Sequence, residues 1–197
     1  MSLVDRTQLR RQIRRRRREL SRLQQRHAAQ QLCKLLICQP LFLRSKHIAF
    51  YLPNDGEISP AQLLSRALRM GKKCYLPSLS KNRENYLQFV RYTNATPLQR
   101  NHFGIPEPIA NSRNTIAAKA LDLVLLPLVA FDSSGGRLGM GGGFYDRSFA
   151  FKRSYPAHKP YLLGLAHQCQ EVPQLPVEKW DIPLNSVVTD RRIVVCK

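Results

Sequence analysis

Apolar residues recur at helical spacing over the first forty positions, and then give way to short continuous runs. Leu9, Ile13 and Leu20 fall on one side of a helix predicted over 5–20, with Arg6, Arg10 and Arg14 as a basic stripe beside them. Ser21 followed three residues later by Gln24 has the form of a capping box. A second helix starts there, carries Leu32, Leu35, Leu36 and Ile37, and is ended by Pro40. The period then changes. Residues 46–52 read as a strand, Pro53-Asn54-Asp55-Gly56 as a turn, and Ser59-Pro60 as the cap and first residue of a helix that runs to Met70 and stops at Gly71. A second strand over 72–76 is ended by Pro77. A polar loop covers 81–85, an alternating strand at a sheet edge covers 86–92, and 101–108 is a loop. The most apolar strand, 121–127, is placed at the sheet centre. A helix opens at 144–151 and ends by Tyr155-Pro156. A strand at 160–166, an irregular segment from Leu175 to Pro183, and short strands at 186–189 and 193–196 complete the chain. Alternating strands and helices imply an α/β fold: a three-layer α/β/α arrangement with a mostly parallel central sheet, one domain over 1–197, and the N-terminal basic helix packed on it.

Composition changes one part of this picture. The hydrophobic share of 43% over 197 residues suits a globular domain with a sizeable core, but 32 Lys+Arg against 13 Asp+Glu gives a net charge of +19. Such a field attracts polyanions: nucleic acid, or small ones such as a nucleoside triphosphate. Five cysteines, none in a C-x-x-C pair or a zinc-type cluster, fit a reducing compartment. No apolar run approaches the roughly 20 residues needed to cross a bilayer, and the arginine-rich N-terminus lacks the apolar core of a secretory signal. A cytoplasmic protein with no membrane partner is expected.

The chemistry concentrates at 135–147, where six of the chain's 10 glycines lie in Gly-Gly-Arg-Leu-Gly-Met-Gly-Gly-Gly-Phe-Tyr-Asp-Arg. A strand precedes the stretch and a helix follows it. Glycine backbone can approach a ligand closely, and a helix start adds free N–H groups, so the stretch suits phosphate. It is not a Walker A loop, because no Lys-Ser or Lys-Thr follows, and Phe144 stands where a dinucleotide fingerprint needs its third glycine. Gly135-Gly136 alone reads equally well as a hairpin turn. Glu57 stands in a strand-to-helix loop, where an open α/β sheet binds ligands, although a loop glutamate is often merely solvated. Arg14–Arg18 is a run of five arginines whose alternatives are a solvated helix face, a phosphate-facing stripe, or a site for RNA or an acidic partner.

Arg-Leu-Gly-Met-Gly-Gly-Gly-Phe-Tyr-Asp-Arg (137–147) resembles the signature of the 5-formyltetrahydrofolate cyclo-ligases, and other segments extend the resemblance to both ends of the chain. Leu9-Arg10, with Arg6 before it, is similar to the family's N-terminal basic pair, which contacts the ATP phosphates. Gly104-Ile105-Pro106-Glu107-Pro108 and Trp180-Asp181-Ile182-Pro183-Leu184-Asn185 are similar to two further segments. The resemblance implies ATP- and Mg²⁺-dependent closure of 5-formyltetrahydrofolate, with or without a polyglutamate tail, to 5,10-methenyltetrahydrofolate through a phosphorylated N5-formyl intermediate, with release of ADP and phosphate; a monomer is expected. It implies that Arg6, Arg10, Arg137, Leu138, Gly139, Met140, Gly141, Gly142, Gly143, Phe144 and Tyr145 hold ATP, with Arg137 and Tyr145 at the reacting centre. Glu57 would hold the pterin edge, with Leu52 and Phe103 against the folate; either apolar residue could instead serve the core. Asp146 and Asp181 would hold magnesium. Met140 and Gly142 fall where some members carry basic residues.

Two other functions compete with this enzyme. An RNA-binding accessory protein would use the N-terminal arginines, but it needs aromatic residues among them, and 4–43 contains only Phe42. Nucleic acid is therefore disfavoured as a partner. A regulatory nucleotide-binding module without catalysis has no use for Glu57, Asp146 and Asp181 together.

Overall fold

The computed structural model describes residues 5–196; the outermost residues of the expected 1–197 span lie outside these. Helix α1 (Arg6–Arg18) is capped by the Asp5 carboxylate, which accepts from Thr7 N–H at 2.8 Å. The expected capping box opens α2 (Arg22–Ile37), with Ser21 and Gln24 bonded reciprocally. Pro40 does more than end that helix. It stands at the first position of a one-turn helix α3 (Pro40–Arg44), where its missing N–H is not needed. The strand β1 (His47–Ala49), helix α4 (Ala61–Arg69), and strands β2 (Lys73–Leu79) and β3 (Leu87–Tyr92) follow. Next come β4 (Leu98–Arg100), β5 (Pro106–Pro108), β6 (Thr115–Ile116), β7 (Leu123–Pro127), β8 (Ala130–Phe131) and β9 (Arg137–Leu138). The chain closes with α5 (Phe144–Ser148), β10 (Tyr161–Leu165), β11 (Ser186–Val188) and β12 (Ile193–Val195).

Eight strands form the main sheet in the order β12-β11-β10-β7-β1-β2-β3-β6. Its inner strands, β11, β10, β7, β1 and β2, run parallel, and antiparallel strands extend both flanks. β7 is central, as its uninterrupted apolar run implies: Leu123, Val124, Leu125 and Leu126 are wholly buried. Alternate residues of β7 serve opposite faces. Leu123 and Leu125 pack with Leu32, Leu36, Phe42 and Leu63 under α2, α3 and α4. Val124 and Leu126 pack with Phe149, Ile182 and Leu184 on the other side.

That second face departs from expectation, since α5 stops after one turn and a 3₁₀ turn, Ala150–Arg153, replaces the rest of the predicted helix. The Ser148 hydroxyl donates to Phe144 O at 2.7 Å and accepts from Leu87 N–H at 2.9 Å, and Phe149 is driven into the core against Phe89. Tertiary packing decides the conformation there. Three smaller departures have equally local causes. β3 is not the edge strand, because β6 covers it. The 101–108 loop is the tip and return of a β4–β5 hairpin. Pro77 does not end β2. Lys73 N–H donates to Lys46 O and Tyr75 O accepts from Phe50 N–H, so the odd-numbered residues of β2 face β1, which has already ended by Pro77. The missing donor therefore falls where no strand pairs.

The arginine run is also not simply a solvated face. Arg17 is fully buried. Its Nε donates to Asp55 O at 2.8 Å, Nη2 to Asp55 Oδ2 at 2.9 Å, and Nη1 to Leu128 O at 3.1 Å. Arg14 and Arg18 grip the same carboxylate. Leu9, Ile13 and Arg17 follow one another at i, i+4, so the buried stripe of α1 leads to this arginine, not to Leu20. Removing one partner of a buried, bonded charge is costly. Arg17→Met should lower unfolding stability in urea by about 3 kcal/mol, whereas Arg15→Met, at an exposed position, should change it by less than about 0.5 kcal/mol.

Candidate active site

The strand order reverses direction between β1 and β7, because β2 continues the sheet on one side and β10 on the other. Ligand crevices of open α/β sheets lie outside the carboxyl ends of strands at such a point. A cleft of ≈ 770 Å³ lies there, lined by Leu52 beyond β1, Pro77 and Leu79 at the end of β2, and Pro127 and Leu128 at the end of β7. Helix α1 adds Arg6 and Arg10, the glycine loop adds residues 139–146, and the C-terminal segment adds Trp180 and Asp181.

The glycine stretch divides into two devices. Gly135 and Gly136 form the tight turn between β8 and β9, organised by the buried carboxylate of Asp132. Its Oδ1 accepts from Ser134 N–H at 3.0 Å and Gly136 N–H at 2.9 Å, and its Oδ2 from Leu175 N–H at 2.8 Å. A Cβ on Gly136 would meet that carboxylate at 2.7 Å. The hairpin alternative is thus correct for this pair, and Asp132 went unnoticed in the sequence. Residues 139–143 are the exposed cradle. Gly141 has φ 110° and Gly143 φ 66°, conformations that favour glycine, and Gly143 caps α5. Arg10 Nε donates to Gly139 O at 2.9 Å and Arg147 Nη1 to Gly142 O at 2.6 Å, tying the loop down at both ends. Burial and the neighbouring Arg6 lower the pKa of Arg10.

The acidic groups are paired. Arg6 makes a two-pronged contact with Asp181, at 2.9 and 3.3 Å. Arg137 bonds Asp146, whose Oδ1 also accepts from Ile182 N–H at 3.1 Å. Glu57 Oε2 accepts from Asn54 N–H at 3.1 Å, with Arg17 Nη2 3.9 Å from Oε1. Burial pushes the Glu57 carboxyl up to about 7, while the Asn54 N–H and Arg17 hold it back. Tyr145 stacks on Phe149, and Arg137 lies over its ring at 5.9 Å. Burial and then the Glu57 charge push its phenol upward, so it is a hydrogen-bond donor at neutral pH. Phe103, at the hairpin tip, meets Phe144 edge-on at 5.8 Å. The tip is held by the buried Glu107, which accepts from Leu79 N–H and Asn101 Nδ2, each at 3.0 Å.

Every residue expected to hold ATP, folate or metal therefore lines this cleft except Leu138, which is buried under α1 with Leu9 and Ile13. What the sequence reading missed are the supports: Arg17 and Asp55 behind Glu57, and Asn101 and Glu107 behind Phe103. Among the described residues, no three His, Cys, Asp or Glu side chains are grouped to hold a metal by themselves, all five cysteines are free, and no helix is long and apolar enough to cross a membrane.

The site is thus an open α/β crevice lined by arginines, paired carboxylates and an exposed glycine loop, a lining suited to anionic ligands. Comparison with known proteins specifies it. Residues 3–190 match the model of the 5-formyltetrahydrofolate cyclo-ligase family. The chain is 41% identical to a 5-formyltetrahydrofolate cyclo-ligase of Haemophilus influenzae, over 95% of this chain and 99% of that protein. It is 40% identical to one from Escherichia coli K12, over 92% and 98%. The solution structure of Aquifex aeolicus 5,10-methenyltetrahydrofolate synthetase superposes with a TM-score of 0.81 at 30% identity, covering 96% of this chain and 92% of that one. The chain belongs to the 5-formyltetrahydrofolate cyclo-ligase family, and is a ligase of folate one-carbon metabolism.

The raised Glu57 carboxyl makes a prediction for the ligand-free protein. Its folded value of about 7 lies above the ordinary 4.5, so folding favours the protonated form. That contribution is fully present below about pH 4.5 and is lost as pH rises through about 7. Between pH 4.5 and 8 the wild type should lose about 3 kcal/mol relative to Glu57→Gln, read by urea unfolding of both proteins at each pH.

Proposed function

We propose that the cleft binds ATP and 5-formyltetrahydrofolate side by side and closes the folate ring, releasing ADP and phosphate. The observation that carries this reading is the convergence of the phosphate-type glycine loop, Arg6, Arg10, Arg137 and the buried Glu57 on one crevice. The triphosphate lies along 139–143, taking backbone N–H groups and the arginines. The pterin edge, with adjacent N–H donors, sits against the Glu57 carboxylate, which accepts two in parallel. Leu52 and Phe103 contact the folate rings.

A formamide oxygen is a poor leaving group and must first be activated. The formyl oxygen attacks the γ-phosphorus, the bond to the departing ADP breaks, and N5 becomes an iminium. N10 then attacks the activated carbon. The C–O bond breaks, phosphate leaves, and N10 gives up its proton. Positioning and charge neutralisation do most of the work in such transfers. Arg137 faces the transferring group, and the Tyr145 phenol donates between the two ligands. The paired carboxylates suit Mg²⁺, which takes one or two carboxylates together with phosphate oxygens and needs no all-protein cage. Asp146 and Asp181 would hold it, and when bound it would neutralise charge on the phosphates.

The RNA reading loses Arg14 and Arg17, which are bonded to the Asp55 turn, and keeps only Arg11, Arg15 and Arg16 on the exposed face of α1, with no aromatic residue among them. We further propose a cytoplasmic monomer acting on folates with or without polyglutamate tails.

Purified protein given 5-formyltetrahydrofolate and Mg-ATP should develop the ultraviolet absorbance of the methenyl product and release one phosphate per turnover; no absorbance change with the folded protein would overturn the proposal. Asp146→Asn keeps size and the loop glycines. It should lower kcat at least about tenfold, recover in part at raised magnesium, and still bind nucleotide. A wild-type kcat and magnesium dependence in this variant would remove Asp146 from the metal site.

A further inference from the structure

The chain's single tryptophan, Trp180, takes no part in the core. It is 62% exposed and stands on the cleft wall beside Asp181. Its backbone is nevertheless tightly fixed. Asp181 N–H donates to Glu178 O at 3.0 Å, closing a turn around it, and Glu178 N–H returns to Asp181 Oδ2 at 2.9 Å. The Trp180 carbonyl accepts from Arg153 Nη1 at 3.1 Å, and Arg6 grips Asp181 at 2.9 Å. A large, exposed aromatic residue on the cleft wall, carried by a turn anchored on both sides, is suited to stack on a planar ring.

The neighbours indicate which ring. Trp180 is attached directly to the Arg6–Asp181 pair at the phosphate-binding end. Glu57, which would take the pterin, is tied instead into the 53–57 loop and the Arg17 anchor. A planar group joined to the phosphates is a nucleobase. We infer that Trp180 stacks on the base of the bound nucleotide and makes the enzyme prefer purine to pyrimidine triphosphates; this rests on the proposed ATP site. The phosphate contacts are alike for every nucleoside triphosphate, so discrimination must arise beyond them. A purine offers the larger face for stacking, and an indole ring alone has no means of separating adenine from guanine.

A lone tryptophan makes its own emission the reporter. ATP and GTP should quench the emission on binding, CTP should quench it much less, and inorganic tripolyphosphate should bind without appreciable quenching. Trp180→Ala should raise the KM for ATP about tenfold, leave that for 5-formyltetrahydrofolate within about twofold, and reduce the ATP-over-CTP preference. Trp180→Phe should restore most of it. Equal quenching by tripolyphosphate and ATP would overturn the inference, as would an unchanged ATP KM in Trp180→Ala or a rise confined to the folate. The titrations read binding without turnover, so they decide the matter even if the cyclisation assay fails. Conversely, cyclisation by a protein that shows no base-dependent quenching would leave the proposed function intact and remove only the stacking.

Discussion

The buried guanidinium of Arg17 is the contact on which the arrangement of the cleft depends. It joins helix α1 to the Asp55 turn and to the carbonyl that follows β7, and so fixes the N-terminal helix across the carboxyl edge of the parallel strands. Asp55 takes a backbone φ of 52°, unusual for a residue with a side chain. Burial alone would raise its carboxyl, but bonds from Arg14, Arg18 and Arg17 outweigh that and hold it below the usual range. Without the guanidinium, the turn would have a strained residue, a desolvated carboxylate and a bare carbonyl together. With it, the loop bearing Glu57, the helix bearing Arg6 and Arg10, and the strand end beneath the glycine loop become one rigid wall.

Much of this was legible in the chain. Periodicity separated the helices from the strands. The apolar run of β7 indicated its central place, and the capping box at Ser21 formed as written. The glycine loop marked the cleft because its residue types have a backbone purpose independent of tertiary context. What escaped notice depended on distant partners. The shortness of α5 follows from Ser148 meeting Leu87, far away in the chain. The continuation of β2 through Pro77 follows from where β1 happens to end. Arg17 lay in a run of like residues, and nothing in its composition distinguishes it from Arg15 or Arg16. The one usable signal was its place one turn beyond Ile13 on the buried stripe. Glu107 was hidden in the same way, since a buried carboxylate can be recognised only once its donors, Leu79 N–H and Asn101, are in position.

The two faces of the sheet have different duties. One is covered by full helices, α2 and α4, and holds the largest cluster of buried apolar residues. The other carries short turns and extended chain, including Ile182 and Leu184, and these same segments continue directly into the cleft wall. Both faces reach the cleft, the first through Tyr51, Leu52 and Leu76. On the second, the positions of the short segments are set by individual hydrogen bonds, such as those to Asp132 and Asp146.

Each of the two carboxylates at the phosphate end already has an arginine as its partner, Asp181 with Arg6 and Asp146 with Arg137. On the proposed reading, the carboxylates are meant for a cation and the arginines for phosphate, so each pair is an internal salt that must be broken. Metal alone would strip the carboxylates and leave two guanidinium groups without counter-ions. Nucleotide alone would take the arginines and leave two acids facing its own negative charge. Delivered together, they exchange one set of ion pairs for another, with little change in the charge the cleft contains. On that reading the two ion pairs neutralise the site beforehand, and the metal–nucleotide complex would be selected over either component by double exchange.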